Sequence, residues 1–186
     1  MMEQMDAREK IQAVDLDTLK VIRYPDPRLK ESCTPIDVID ERVAALAHRM
    51  AELMFASNGV GLAASQVGVT VRLFIASPTF NSDDLHVYIN PKIVEKSGSL
   101  NEEEGCLSFP NIFCKVKRAA KVTVEALGLD GKSFTQTVEA LHARIVQHEN
   151  DHLDGVLLAD RMGSVAKLAK RHALQTLEQE YLDQNA

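Results

Sequence analysis

The chain has 186 residues, 45% of them apolar and 26% charged, with a formal net charge of −6 and a pI near 5.5. That acidic balance argues against a general nucleic-acid binder, and no apolar run approaches the roughly 18 residues needed to span a bilayer. Cys33, Cys106 and Cys114 are too few and odd in number for a disulfide framework, and no apolar signal segment is visible near Met1. A cytoplasmic protein is therefore expected.

In chain order, residues 1–18 have few large apolar groups and are expected to form a loose extension. Residues 19–162 read as one domain, and 163–186 as a C-terminal helix appended to it. Val21–Tyr24 is predicted as a short strand stopped by Pro25-Asp26-Pro27. Asp37 or Asp40 caps a predicted helix running to about Asn58, with Val43, Leu46, Ala47, Met50, Leu53 and Met54 as its apolar stripe. Gly59 is expected to end it. Val71–Ala76, His86–Asn90 and Lys92–Ser97 read as strands, the last two separated by Pro91. Lys121–Ala126 and Ser133–Val138 flank the turn signal Asp130-Gly131 and read as a hairpin. A helix from about Glu139 places Leu141, Ile145, His148 and His152 on one inward face. The pattern is α+β: antiparallel strands around a central helix, with a further helix in the N-terminal half and another at the C-terminus.

His148-Glu149-Asn150-Asp151-His152 puts two imidazoles on the same helical face, able to reach one metal ion, with a carboxylate beside them that can serve as general base. A catalytic site of this type needs a third protein ligand. Leu158 stands where a second protease signature has its last histidine, and Glu178 and Glu180 lie on a charged terminal stretch. Cys106, within Glu104-Gly105-Cys106-Leu107-Ser108, is the better candidate, since a thiolate is a strong ligand for a borderline metal. Gly59-Val60-Gly61-Leu62-Ala63-Ala64-Ser65-Gln66 allows close backbone approach and carries one polar group, Gln66, able to donate to a substrate oxygen.

These three segments, in this order, resemble the motifs of the peptide deformylase family. The resemblance covers about Leu19 to Met162 and implies that family's α+β fold. It implies Cys106, His148 and His152 as metal ligands and Glu149 as general acid/base. Gln66, through its amide, and Leu107, through its backbone N–H, match the oxyanion-stabilising groups, and Gly61 matches a backbone contact to substrate. The implied reaction is hydrolysis of the formyl group from N-formylmethionine on new proteins. The implied cofactor is one divalent ion per chain, Fe²⁺ in the first place, with Zn²⁺, Ni²⁺ or Co²⁺ also suiting the ligands. Arg118 matches a basic position of the family and is expected to pair with Glu104, bracing the cysteine loop. Val60, Leu141 and Ile145 are expected to form the pocket for the methionine side chain. Ser65 and Phe113 depart from the commoner residues, proline or threonine and a basic residue respectively.

Lys167, Lys170 and Arg171 precede Glu178, Glu180 and Asp183 on the last helix, against the preference of the helix dipole. The resemblance makes this basic cluster a candidate contact with the ribosome near the exit tunnel. The expected partners are formylmethionyl peptides and nascent chains, with no membrane and no DNA, and monomer is the default state. Two rival readings stand beside deformylation: another metal-dependent amidase or peptidase, and a non-catalytic binding relative.

Overall fold

Asp6 and Glu9 start the first helix by capping one another. Asp6 accepts from the Glu9 N–H (2.8 Å) and Glu9 from the Asp6 N–H (3.0 Å), satisfying two amides that a helix start leaves unpaired. In this computed structural model, which describes residues 5–185, helix α1 (Ala7–Gln12) corrects the expectation of a loose head. Ala7 and Ile11 are buried, and the Lys10 ammonium donates to the hydroxyls of Thr34 and Thr70. One well-placed isoleucine and one lysine with waiting acceptors anchor a segment poor in apolar groups. Residues 1–4 of that expectation lie outside the described residues.

Val21–Tyr24 is not a strand. Its Ile22 and Tyr24 N–H groups donate to the carbonyls of Gln66 (2.8 Å) and Ser108 (2.9 Å), strapping the segment across two loops instead of joining a sheet. Asp40 caps helix α2 (Glu41–Ala56), and the stripe from Val43 to Met54 faces the core. Asn58, not Gly59, takes the left-handed conformation after it (φ 54°). Gly59 is needed for closeness, since a Cβ there would meet Leu107 Cδ1 at 2.8 Å.

Strands β1 (Gly61–Ala63), β2 (Leu73–Ala76) and β3 (His86–Ser97) follow. β3 runs through Pro91 as one strand, because a register shift there and a positive φ at Asn90 (49°) absorb the proline. The Asn90 amide then pairs both backbone groups of Ile36, at 2.8 Å each.

Next comes an unpredicted hairpin, β4 (Leu100–Cys106) and β5 (Phe109–Arg118), which forms a sheet of its own. Strands β6 (Lys121–Leu127) and β7 (Ser133–Glu139) form the expected hairpin and lead into helix α3 (Ala140–Leu153). The larger sheet has the order β1-β2-β3-β6-β7 and is antiparallel throughout.

β2 shows why this sheet is covered on both sides. Successive strand side chains point to opposite faces. Leu73 and Ile75 join the cluster containing α2, whereas Phe74 and Ala76 join the one containing Ala143, Ile145 and Val146 of α3.

The single helix expected over 163–186 is two, α5 (Ser164–Ala169) and α6 (Arg171–Gln184), preceded by the short α4 (Leu158–Arg161). Gly163 occupies the cap position of α5 without a side-chain bond. Leu174 and Leu177 of α6 are buried in the cluster that holds Phe109, Ile112, Cys114 and Val116 of the β4–β5 hairpin.

Candidate active site

Helix α3 delivers both histidines, their ring centroids 5.0 Å apart, while Cys106 arrives at the end of β4. Cys106 Sγ lies 3.3 Å from His152 Nε2, and ligand atoms of Cys106, His148 and His152 all lie within 4.8 Å of one another. One sulfur and two nitrogens are a donor set that suits a first-row divalent ion, and Cys106 and His152 already stand close to the separation such an ion needs, roughly 3.4–3.6 Å. Glu149 Oε2 is buried without a partner among the described residues, another sign that polypeptide alone does not complete the site. Leu158 is buried core, and Glu178 accepts from Tyr24 Oη (2.6 Å), so neither alternative position contributes here.

The support around the ligands is ionic. Glu104 Oε2 lies 3.2 Å from His148 Nδ1, which leaves Nε2 as the free ligand nitrogen. Arg118 clamps both Glu104 oxygens (2.9 and 3.0 Å) and reaches Asp151 (2.6 Å), which Arg161 holds from the other side (2.8 Å). Arg118 is buried, with 7% of its surface exposed, so the expected brace is an internal ion pair. Burial alone would raise the Glu104 carboxyl. His148 and Arg118 outweigh it and hold the group at about 2. Burial also opposes a charge on His148, yet its bonds to Cys106 and Glu104 raise it well above the usual histidine value. Burial, followed by the charge of His148, drives His152 well below the usual value, into the neutral form a ligand needs.

Glu149 is 4% exposed, and burial pushes its carboxyl up to about 7, where one group can both take and give a proton. Its Oε1 lies so close to Gly61 that a Cβ there would meet it at 2.4 Å. Gln66 is fixed in orientation. Its Oε1 accepts from the Ala63 N–H (2.9 Å), so its NH₂ faces Cys106 Sγ (3.4 Å) and Ser108 Oγ (3.2 Å).

A cavity of about 610 Å³ opens over these groups, and Val60, Gly61, Gln66, Cys106, Leu107, Ile145, His148 and Glu149 line it. Leu141 lines it too, but at the mouth. It is 48% exposed in the first turn of α3, not on the inward face with Ile145. Sequence reasoning missed Ser108, Asp151, Arg161 and Arg144. Ser108 and Asp151 stand inside the motif segments quoted above but were given no role, Arg161 carries no motif signal, and Arg144 could have been found from its place one helical turn before His148.

A model of the polypeptide deformylase family matches residues 18–168. The chain belongs to that family. Peptide deformylase 2 of Nitrosomonas europaea is 45% identical over 142 residues, covering 76% of this chain and 77% of the relative. The peptide deformylase of Neisseria gonorrhoeae is 43% identical over 159 residues, covering 82% and 95%. Among solved structures, a plant peptide deformylase superposes with a TM-score of 0.87 at 38% identity, covering 90% of this chain and 92% of that one. The enzyme of Legionella pneumophila gives 0.82 at 37%, covering 88% and 97%. Deformylases are metal-dependent hydrolases, and Cys106, His148 and His152 form the one cluster among the described residues suited to the ion. No helix among them is long and apolar enough to cross a membrane.

Proposed function

We propose that this deformylase removes the formyl group from N-formylmethionine at the start of nascent chains, releasing formate, at a divalent ion held by Cys106, His148 and His152. The observation that carries the reading is a buried, partnerless Glu149 oxygen beside three converging ligands, on the wall of an open cavity. Bound there, the ion supplies Lewis acidity and makes water acidic enough to yield hydroxide near neutral pH. Glu149 takes the proton of the attacking water and hands it to the departing amine, which leaves poorly as an anion. The Gln66 amide, its orientation set by Ala63, and the Leu107 N–H donate to the formyl oxygen as negative charge develops on it. One such donor is worth on the order of 10²–10³ in rate. Val60 and Ile145 wall the methionine pocket, with Leu141 at its rim, while the Gly61 backbone meets the substrate.

Gly61→Ala tests how tightly Glu149 is placed. The new methyl would collide with Glu149 Oε1 and with Ile145 Cγ2 (2.8 Å), and misplacement near 1 Å costs about 10²-fold. A kcat within threefold of wild type on a formylmethionyl peptide would show that the carboxylate has room to spare.

Iron(II) is our choice of ion, as the family resemblance implies. Activity lost in air and restored by anaerobic iron, but not by zinc, supports it; stable zinc activity at the same level overturns it. We place the enzyme in the cytoplasm as a monomer, with residues 19–162 as the catalytic unit. We assign Lys167, Lys170 and Arg171 to a ribosomal contact, tested by reversing all three charges and measuring ribosome co-sedimentation. One assay separates the rival functions: iron-loaded protein with formyl-Met-Ala-Ser and its acetyl counterpart. Formate without acetate marks a deformylase, whereas a different amidase or peptidase, or a binding relative, releases no formate.

A further inference from the structure

Cys106 and the two histidines belong to parts of the fold that no sheet ladder joins. The thiol ends β4, whose only strand partner among the described residues is β5, whereas α3 packs on the five-stranded sheet. Three ligands within 4.8 Å therefore depend on whatever docks β4 onto α3.

Arg144 is placed to do this. It lies on α3 one turn before His148, and its side chain is 9% exposed. One terminal nitrogen pairs with the Glu102 carboxylate. The other donates to the Glu103 carbonyl at 2.6 Å. Nε faces Glu104 Oε1 at 3.5 Å without completing a hydrogen bond. One guanidinium thus grips three successive residues of the strand that ends in the thiol. Glu104 Oε1 is shared by Arg118 from β5 and Arg144 from α3, so the carboxylate that orients His148 is fixed from two elements at once. A planar fork can span these acceptors; an ammonium, being a point charge, can hold one of them well.

We propose that Arg144 is a positioning residue for the metal centre, docking the cysteine strand onto the histidine helix so that thiolate and imidazoles bind one ion. The proposal rests on the Cys/His/His reading. Arg144 also lines the substrate cavity, so its effect on metal must be separated from an effect on peptide.

The test is cobalt(II) titration of metal-free protein, following the thiolate-to-cobalt absorption band and measuring affinity by chelator competition. Wild type shows the band at one ion per chain; its absence there would sink the ligand reading itself. Arg144→Met is expected to weaken cobalt binding 10–100-fold, the usual effect of losing support behind a ligand, and Arg144→Lys to recover part of it. Glu102→Gln cuts the same tie from the exposed side and should lower affinity in the same direction, which keeps the question answerable if Arg144→Met fails to fold. Wild-type cobalt affinity and spectrum in Glu102→Gln and in either foldable Arg144 variant would overturn the proposal. A raised KM alone would then make Arg144 a wall of the peptide cavity.

Discussion

Glu149→Gln is expected to lower kcat on a formylmethionyl peptide by about 10²–10⁴-fold, with one metal ion per chain retained. The substitution keeps the volume of the side chain and leaves Cys106, His148 and His152 untouched, so geometry and metal affinity should survive. What disappears is the group we propose as the carrier of a proton from water to the amine. Glu149 faces Gly61 and the cavity, and its Oε2 has no protein partner. A buried carboxyl without a partner costs stability, so selection for folding alone would not keep it. Metal-free Glu149→Met protein should accordingly melt no lower than metal-free wild type. A kcat within tenfold of wild type in Glu149→Gln would exclude the proton-shuttle role, whatever the melting curves show.

Arg118→Ala is expected to destabilise the fold by about 3 kcal/mol, at the lower end of the range for removing one member of a buried ion pair. Arg118 leaves behind two carboxylates, those of Glu104 and Asp151. The lower end applies because Asp151 keeps Arg161, and Glu104 keeps His148 and the longer contact to Arg144. For a chain of this length the change corresponds to a fall of roughly 6–12 °C in Tm. The double variant Arg118→Ala/Glu104→Ala should lose less than the sum of the two single variants, because the charge stranded by the first is removed by the second. Additive losses, or a loss below 1 kcal/mol for Arg118→Ala, would mean that the cluster is solvated in practice.

The parts of this fold legible in the sequence are those whose signal is local. The stripe of α2, the turn at Asp130-Gly131 and the histidine spacing on α3 each lie within a few turns or a single hairpin. The β4–β5 hairpin has a weaker signal because Asn101–Glu104 is a polar run, and Glu104 is buried among charged partners, Arg118, His148 and Arg144, that lie far from it in the chain. Buried Ile112, Cys114 and Val116 alternate with exposed Phe113, Lys115 and Lys117 along β5, a local signal that the sequence reading passed over. Arg144, Asp151 and Arg118 are charged residues of kinds found mostly outside, and their burial follows from partners distant in the chain. Leu141 illustrates the opposite limit: helical spacing aligned it with Ile145, but periodicity says nothing about burial in a first turn, where it stands 48% exposed.

The division of the ligands between a hairpin and a later helix also sets an order of events when this protein is itself made. The hairpin closes on contacts between near neighbours and can form early. His148 and His152 are synthesised only afterwards, so Cys106 begins its existence as an uncovered thiol with no imidazole beside it. Exposed thiols are the ones open to oxidation, and oxidation past the sulfenic stage is not simply reversed. The hazardous interval for this enzyme thus precedes its first turnover. It narrows when α3 docks, because both histidines then flank the sulfur and leave it facing only the cavity.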